Sequence, residues 1–302
     1  MSGWYILAGA GLDLCIGDPP WLPHPVRAIG WWISQQESLL RRISMHLKLA
    51  GVLLWIFTVG LTAAIVAASV WLLPLSAIYW IFAFLAVRDL DRHAMRVITA
   101  LAAGDLHEAR EKLSWIVGRD TATLEANDIV RAVVETVGEN LGDGVVAPLF
   151  YLAIGGPVAM AAYKAVNTLD SMVGYRNEKY RDLGWFSARA DDWANWIPAR
   201  LTAVLVWIVS LLPGFATAKS IRVTFRDGGS QPSPNSGYPE AAVAGALGVQ
   251  LGGVNSYGGI ASRKASLGDP QRALDVGVYP RVRVILYGVA LLATSVAAVI
   301  RW

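Results

Sequence analysis

The sequence feature that most constrains the fold is a run of 39 residues, 49–87, without a single Asp, Glu, Lys or Arg. A helix needs about 20 predominantly apolar residues to cross the hydrocarbon core of a bilayer. The run is therefore long enough for two membrane helices, and Pro74 divides it into candidates at 49–73 and 75–87. Charged residues make up only 16% of the chain, against about 25% in ordinary soluble domains. Both observations predict an integral membrane protein.

Further apolar runs give four more candidate spans, near residues 3–17, 145–163, 201–218 and 284–300. We therefore predict an all-α, polytopic membrane protein with four to six membrane helices. An apolar stripe at helical spacing in segment 88–144 predicts that the polar segments fold as amphipathic helices. We expect one membrane-embedded domain over residues 1–302, located in the cytoplasmic membrane. The positive-inside rule orients the chain only weakly. If 49–87 is a helical hairpin, the polar segments 18–48 and 88–144 share a face, and we place both on the cytoplasmic side.

Several classes of site are absent from the sequence. A single cysteine, Cys15, forms no internal disulfide and excludes cysteine-rich zinc and iron–sulfur sites. The four histidines have no metal-ligand spacing. The sequence has no phosphate loop, no G-x-G-x-x-G motif, no serine nucleophile elbow and no H-E-x-x-H motif. The net charge of +3 is small, and we expect no nucleic-acid partner.

A first polar cluster lies in residues 131–143. Arg131, Glu135 and Glu139 recur every four residues and share one helical face, and Asn140 and Asp143 follow them. Grouped carboxylates can bind Mg²⁺, which takes oxygen ligands and keeps waters for phosphate. The alternative is a solvated helix face with an Arg131–Glu135 ion pair.

A second cluster follows the apolar run at 145–163. Lys164, Asn167 and Ser171 share a helical face, and Asp170 lies on a neighbouring face. Polar groups at a membrane helix are candidates for function. The alternative is that Lys164 only extends to the membrane surface, which explains neither Asn167 nor Asp170.

A third cluster contains Asp191 and Asp192, each within helical reach of Asn195. It could bind a metal ion or form an interfacial helix anchored by Trp193 and Trp196.

Two weaker features complete the set. Arg119-Asp120 after Gly118 is typical of a turn with an exposed ion pair, or of a helix end followed by an N-cap. A small polar loop containing Asn235 precedes Glu240, and loops of this kind often line a site.

Six segments of the chain, taken together, resemble one known family. The stretches that carry the resemblance are GDPPWLPHPVRAIG (17–30), KLSWIVGRDT (112–121), RAVVETVGENLGDGVVAPLF (131–150), YKAVNTLDSMVGYRNEKY (163–180), SARADDWANWIPAR (187–200) and SPNSGYPEAAVAGALGVQLGG (233–253). They resemble the adenosylcobinamide-phosphate synthase family of cobalamin biosynthesis, which is an integral membrane family.

The resemblance implies that residues 1–302 form a catalytic domain with its active site on the cytoplasmic face. It also implies a reaction and its participants. The family joins adenosylcobyric acid to (R)-1-aminopropan-2-ol or its O-phosphate through an amide bond, and ATP is split to ADP and phosphate. ATP and Mg²⁺ are the implied cofactors. The implied partners are the corrinoid substrate, aminopropanol or its phosphate, the lipid bilayer and other membrane-bound enzymes of the cobalamin pathway.

The resemblance also selects the candidate site residues. The candidate catalytic residues are Lys164, Asp170, Asn167, Arg119 and Glu135. The candidate binding residues are Arg27, Asn140, Ser171, Arg200 and Asn235. The candidate metal ligands are Glu139, Asp143, Asp191 and Asp192, with Glu135 beside them. In this hypothesis Lys164 and Arg119 contact phosphate, and Asp170 and Asn167 orient the amine. Arg27 or Arg200 would bind the aminopropanol phosphate.

Three other functions remain open from the residues alone. Asn167-x-x-Asp170 and Asp191-Asp192-x-x-Asn195 resemble aspartate-rich motifs of intramembrane prenyltransferases, which bind Mg²⁺-diphosphate. Gly155-Gly156-Pro157 would suit the broken helix of a small-molecule transporter. A scaffold protein would leave the carboxylate clusters unexplained.

Overall fold

The computed structural model describes residues 2–43, 45–175 and 177–302, which are predominantly helical. The helices are α1 (Trp4–Ile16), α2 (Pro25–Arg42), α3 (Leu47–Leu72), α4 (Ser76–Phe84), α5 (Val87–Ala102), α6 (Leu106–Ser114), α7 (Ala126–Leu141), α8 (Ala147–Val173), α9 (Trp185–Ala194), α10 (Trp196–Val209), α11 (Thr217–Asp227), α12 (Gly237–Leu247) and α13 (Tyr279–Ile300). Strands β1 (Leu251–Tyr257) and β2 (Ile260–Leu267) form one antiparallel hairpin.

The described residues contain three helical segments long and apolar enough to cross a membrane: Leu47–Leu72, Ala126–Val173 and Val276–Ile300. Two shorter apolar helices, α1 and α10, accompany them. The prediction of an all-α membrane protein with amphipathic polar segments is confirmed.

Two of the predicted spans are shorter in the structure. Helix α4 has nine residues and a length of about 14 Å, less than half the thickness of the hydrocarbon core. Helix α10 ends at Val209 instead of near 218. The chain turns after it because Pro213 is followed by Gly214, which has a φ of 94°. Such a backbone conformation suits glycine and stops a helix.

The long helix α8 contains the break that the sequence predicted at Gly155-Gly156-Pro157. Gly156 has a φ of 71° and a ψ of −165°, which no helical residue adopts. Pro157 has no N–H to donate to the preceding turn. The candidate span at 145–163 is therefore a kinked helix that continues to Val173.

The chain divides into two compact units. The described residues of 1–86, together with Ala147–Trp196 and Ala293–Trp302, form the first unit. Val87–Val146 and Ile197–Leu292 form the second. The single domain expected from the sequence remains a prediction.

In the first unit, α3 packs against α2 and α8, and α1 packs against α4. The buried Gln36 side chain of α2 donates a 2.8 Å hydrogen bond to the hydroxyl of Thr58 on α3. Gly51 is also buried in α3, and a Cβ there would overlap the backbone oxygen of Leu183. The absence of a side chain at Gly51 thus permits the close approach of α3 to this loop.

In the second unit, α7 contacts α5, α12 and the β-hairpin, and α11 packs closely against α12. This hairpin was not predicted from the sequence. Its turn is Gly258-Gly259, with φ values of 57° and 81°. Two consecutive residues with positive φ are typical of a tight hairpin turn. The hairpin brings residues 251–257 to the face of α7 that carries the first polar cluster.

Candidate functional site

Within the second unit, acidic and basic side chains form a group that we name the carboxylate cluster: Arg119, Glu135, Glu139, Glu240 and Lys264. Glu135 on α7 is its anchor, and its side chain is only 5% exposed. It forms an ion pair with Arg119 and accepts a 2.7 Å hydrogen bond from the backbone N–H of Gly252. The Nε atom of Arg131 lies 3.8 Å from the same carboxylate oxygen that Gly252 contacts. The alternative of a solvated face is therefore wrong for Glu135, although the Arg131–Glu135 pair exists.

Arg119 reaches the cluster from the segment that follows α6. The Arg119 side chain is 6% exposed, and its guanidinium also donates a 2.5 Å hydrogen bond to the side-chain oxygen of Asn255 on β1. The exposed Arg119–Asp120 ion pair expected from the sequence is wrong, because the two side chains engage different partners. Asp120 instead accepts hydrogen bonds from the Ser256 hydroxyl at 2.6 Å and from the N–H groups of the hairpin turn. These bonds lower the pKa of Asp120.

Glu240 on α12 is the most deeply buried acid of the cluster, with 2% of its surface exposed. Its backbone packs against Gly138 of α7, where a Cβ would lie 3.5 Å from the Glu240 Cα. Burial raises the pKa of Glu240 well above its ordinary value, and the charge of Glu139 adds to this effect. Lys264 opposes it. The sequence showed Glu240 only as the residue after a polar loop; its burial depends on the packing of α12 against α7.

Lys264 on β2 is half-buried and is not among the residues predicted from the sequence. It lies opposite Gly253 in the hairpin register. Burial alone would lower the pKa of Lys264, but the charges of Glu240 and Glu139 outweigh it and raise the pKa. The Gly258-Gly259 turn is the one sequence signal that could have located this residue, since it predicts the hairpin.

The oxygen donors of this cluster fit Mg²⁺ only together with a phosphate. Among the described residues, no group of three or more His, Cys, Asp or Glu side chains is arranged to hold a metal ion. Mg²⁺ commonly binds through one or two carboxylates and completes its shell with water and phosphate oxygens. Glu135 is engaged by Arg119 and Gly252. Glu139, which is exposed, and Glu240 are the carboxylates that such an ion would use.

The other predicted residues of this unit lie near α7 and α12. Asp143 is half-buried in a π-helical turn, Gly142–Val146, a geometry often found at functional sites. Asn140 donates its side-chain N–H to the Thr136 carbonyl of its own helix.

Arg200 contacts Asn235 at 3.5 Å, and its guanidinium stacks 4.2 Å from the centre of the Tyr238 ring. Two binding residues predicted separately are thus neighbours.

Within the first unit, the second and third sequence clusters meet in what we name the amide–aspartate cluster: Tyr163, Asn167, Asp170, Asp191 and Asn195. The Tyr163 hydroxyl donates to Asn195 at 2.8 Å. The Asn195 amide donates to one oxygen of Asp191 at 3.0 Å, and the Asn167 amide donates to the other at 3.4 Å. A continuous hydrogen-bonded chain therefore joins α8 to α9.

Asp191 is the buried centre of this chain, with 9% of its surface exposed. Burial, together with the charge of the nearby Asp170 carboxylate, raises the pKa of Asp191 to about 7. The hydrogen bonds from Asn195 and Asn167 act in the opposite direction. A carboxyl group with this pKa exchanges a proton near neutral pH.

The remaining candidates of the first unit differ in how far they are exposed. Lys164 and Asp192 are half-buried. Ser171 is exposed, and its hydroxyl donates to the Asn167 carbonyl of its own helix. Arg27 is exposed on α2.

Trp193 and Trp196 are 69% and 53% exposed. This exposure is expected for an interfacial helix, and the same segment also holds the buried Asp191.

Comparison with known proteins gives a family. Residues 6–285 match the family described as CobD/Cbib protein. A relative named "Cobalamin biosynthesis protein CobD" from Pelobacter propionicus is 49% identical over 96% of this chain and 94% of its own. Another of that name from Klebsiella pneumoniae is 45% identical, covering 96% and 95%. A "Cobalamin biosynthesis protein CbiB" from Salmonella arizonae is 45% identical, covering 94% and 92%. No solved structure matches the chain. The chain therefore belongs to the CobD/CbiB protein family.

Proposed function

We propose that this chain is a membrane-bound, ATP-dependent amide ligase of cobalamin biosynthesis. It would join (R)-1-aminopropan-2-ol, or its O-phosphate, to the propionate carboxylate of adenosylcobyric acid. The observation that carries the proposal is the carboxylate cluster, where acidic and basic side chains of separate elements meet in a chain of the CobD/CbiB family. The family acts in cobalamin biosynthesis, and this cluster has the charge pattern that a phosphate-activated reaction needs.

The proposed reaction needs activation because a carboxylate is a poor electrophile. A substrate carboxylate oxygen attacks the γ-phosphorus of ATP, the bond to the ADP oxygen breaks, and an acyl phosphate forms. The amine nitrogen then attacks the acyl carbon, and inorganic phosphate leaves with the bonding electrons. The amine arrives as an ammonium ion, so a base must take its proton before attack. Catalysis of the first step depends mainly on positioning and on neutralisation of phosphate charge.

The carboxylate cluster would serve the phosphate step. Mg²⁺ bound by Glu139 and Glu240 would neutralise phosphate charge. Lys264 supplies a cation beside these acids. In this proposal Arg119 acts by holding Glu135 in place, since its guanidinium is already engaged by Glu135 and Asn255.

The amide–aspartate cluster would serve the amine. Asp170 and Asn167 would orient the ammonium group, and Asp191 would accept its proton because the pKa of Asp191 is close to neutral. Both oxygens of Asp191 already accept hydrogen bonds from asparagine amides. We therefore propose proton transfer, in place of metal binding, as the role of Asp191. Lys164 would contact a phosphate oxygen.

We also propose that the reaction takes place on the cytoplasmic side, where ATP is available, and that the chain resides in the cell membrane.

A direct assay tests the proposal. The full chain in detergent is incubated with adenosylcobyric acid, ATP, Mg²⁺ and either amine, and the products are identified by mass. We expect an amide product and one ADP per amide. Glu240→Gln, Asp170→Asn and Lys164→Ala should each slow a single turnover by about 100-fold or more. Glu111→Gln, on the exposed face of α6, is the matched control and should turn over like the wild type.

Two results would contradict the proposal. One is the absence of amide product with both amines while the protein remains folded. The other is wild-type turnover in all three cluster variants. Release of pyrophosphate from a prenyl diphosphate, without amide formation, would point to a prenyltransferase instead.

A further inference from the structure

A separate basic cavity lies in the second unit between α5, α6 and the first turns of α13. Its volume is about 600 Å³. Helix α5 contributes three arginines spaced four residues apart, which places them on one helical face. The cationic side chains that line the cavity are Arg88, Arg92, Arg96, Lys112 and Arg283. Two carboxylates, Asp91 and Glu108, also line it. We name it the arginine cavity; none of its cations belongs to the carboxylate cluster.

Asp91 offsets only part of the charge of the three α5 arginines, because its oxygens already accept hydrogen bonds from other partners. It is 3% exposed. Arg283 donates to both of its oxygens, at 2.9 and 3.1 Å. The hydroxyls of Tyr279 and Tyr287 donate to it at 3.0 and 2.6 Å. This network fixes the Arg283 guanidinium rigidly at the wall of the cavity.

Two of the other cations, Lys112 and Arg92, are held only loosely. Lys112 pairs with Glu108 at 3.6 Å, and Arg92 pairs with Asp89 at 3.3 Å. Both pairs are solvent-accessible, and such pairs contribute little free energy. Arg96 is exposed and forms no ion pair with any described residue. The Arg88 Nε is buried and donates no hydrogen bond within the described part of the chain. The cavity thus retains excess positive charge and at least one unused guanidinium donor.

We propose that the arginine cavity binds a phosphate group. Guanidinium groups present paired N–H donors that match phosphate oxygens, and several around one space compensate more than one negative charge. The phosphate could belong to an anionic lipid headgroup or to a soluble phosphate compound. Arg283 lies near the start of the candidate span Val276–Ile300. Basic pockets at the ends of membrane helices bind lipid headgroups.

Binding is measured on the full chain without nucleotide, corrinoid or amine, so that the result does not depend on ligase activity. One probe is inorganic pyrophosphate, titrated onto protein in phosphatidylcholine nanodiscs. The other is phosphatidylglycerol, added in increasing proportion to the same nanodiscs. Native mass spectrometry and thermal shift measure the binding of each probe. The variants are Arg96→Gln and Arg92→Gln. Arg222→Gln, at an exposed position of α11, removes the same charge elsewhere in the same unit.

We expect each cavity variant to weaken binding of at least one probe by about tenfold, the usual effect of removing one charge-assisted hydrogen bond. Arg222→Gln should stay within about twofold of the wild type. The probe that responds identifies the phosphate source. Equal binding by all four proteins, a wild type that binds neither probe, or an equal loss in Arg222→Gln would each overturn the proposal. Arg96 is exposed, so its replacement leaves the Asp91 network and the fold intact.

Discussion

The buried pair of Arg119 and Glu135 gives a quantitative test of how the second unit is held together. Their side chains are 6% and 5% exposed, respectively. In an Arg119→Met variant, Glu135 would keep the Gly252 N–H at 2.7 Å and the Arg131 Nε at 3.8 Å. It would lose its direct ionic partner. Asn255 would also lose the hydrogen bond that Arg119 donates to it.

The expected cost follows from these contacts. Removing one partner of a buried ion pair costs about 3–5 kcal/mol, because the other charge is left uncompensated. Since Gly252 and Arg131 remain, we expect the lower end, about 3 kcal/mol. In a domain of more than 150 residues each kcal/mol lowers Tm by about 2–4 °C. Arg119→Met should therefore lower Tm by about 6–12 °C.

The double variant Arg119→Met/Glu135→Gln separates the charge effect from lost packing. The amide that replaces the Glu135 carboxylate is neutral, so the double variant loses mainly the Asn255 hydrogen bond, worth about 1 kcal/mol. It should melt about 2–4 °C below the wild type and well above the single variant.

Thermal unfolding of the detergent-solubilised chain, followed by tryptophan fluorescence, measures these differences, since 13 tryptophans provide the signal. Arg222→Met on the exposed face of α11 is the control, with an expected change below about 0.5 kcal/mol. An Arg119→Met variant that melts within about 2 °C of the wild type would refute this stabilising role of the buried pair. A double variant that melts as low as the single one would refute it as well.

Three further predictions rest on other contacts. The Ser256 hydroxyl and the turn N–H groups lower the pKa of Asp120. The stabilising effect of the Asp120 carboxylate is therefore complete at neutral pH and is lost as the pH falls below about 4. Asp120→Asn should lower Tm at pH 7, and the difference in Tm between this variant and the wild type should shrink on acidification. Gly51→Ala should destabilise the first unit because the new Cβ would overlap the Leu183 carbonyl. Gly60→Ala in the same helix should be neutral or stabilising because no atom lies within 4 Å of its Cβ. Thermal unfolding of both variants in detergent tests this contrast. If the stacked Arg200 guanidinium binds the acceptor phosphate, Arg200→Gln should raise the KM for aminopropanol phosphate by about tenfold and leave the KM for free aminopropanol unchanged. Steady-state ligation with each amine measures both KM values. An equal rise for both amines would contradict this assignment.

The sequence alone determined the features that depend on neighbouring residues. The uncharged run at 49–87 required membrane helices because a bilayer excludes charge over a fixed thickness. Gly155-Gly156-Pro157 predicted the break in α8, since glycine permits positive φ and proline removes a donor. Spacing of four residues placed Arg131 beside Glu135 on α7.

Tertiary structure decided which of these residues act together. Glu135 is bound by Arg119, 16 positions away, and by Gly252, 117 positions away. Asp191 is bound by Asn167 across 24 positions, and Glu240 becomes a buried acid only because α12 packs onto α7. Helical periodicity carries no information about such distant partners. Burial and charge pairing shift the pKa of a carboxyl group, and both arise only when separate elements pack against one another. The sequence could therefore name the acids, but only packing could decide which of them are buried, paired or able to hold a proton.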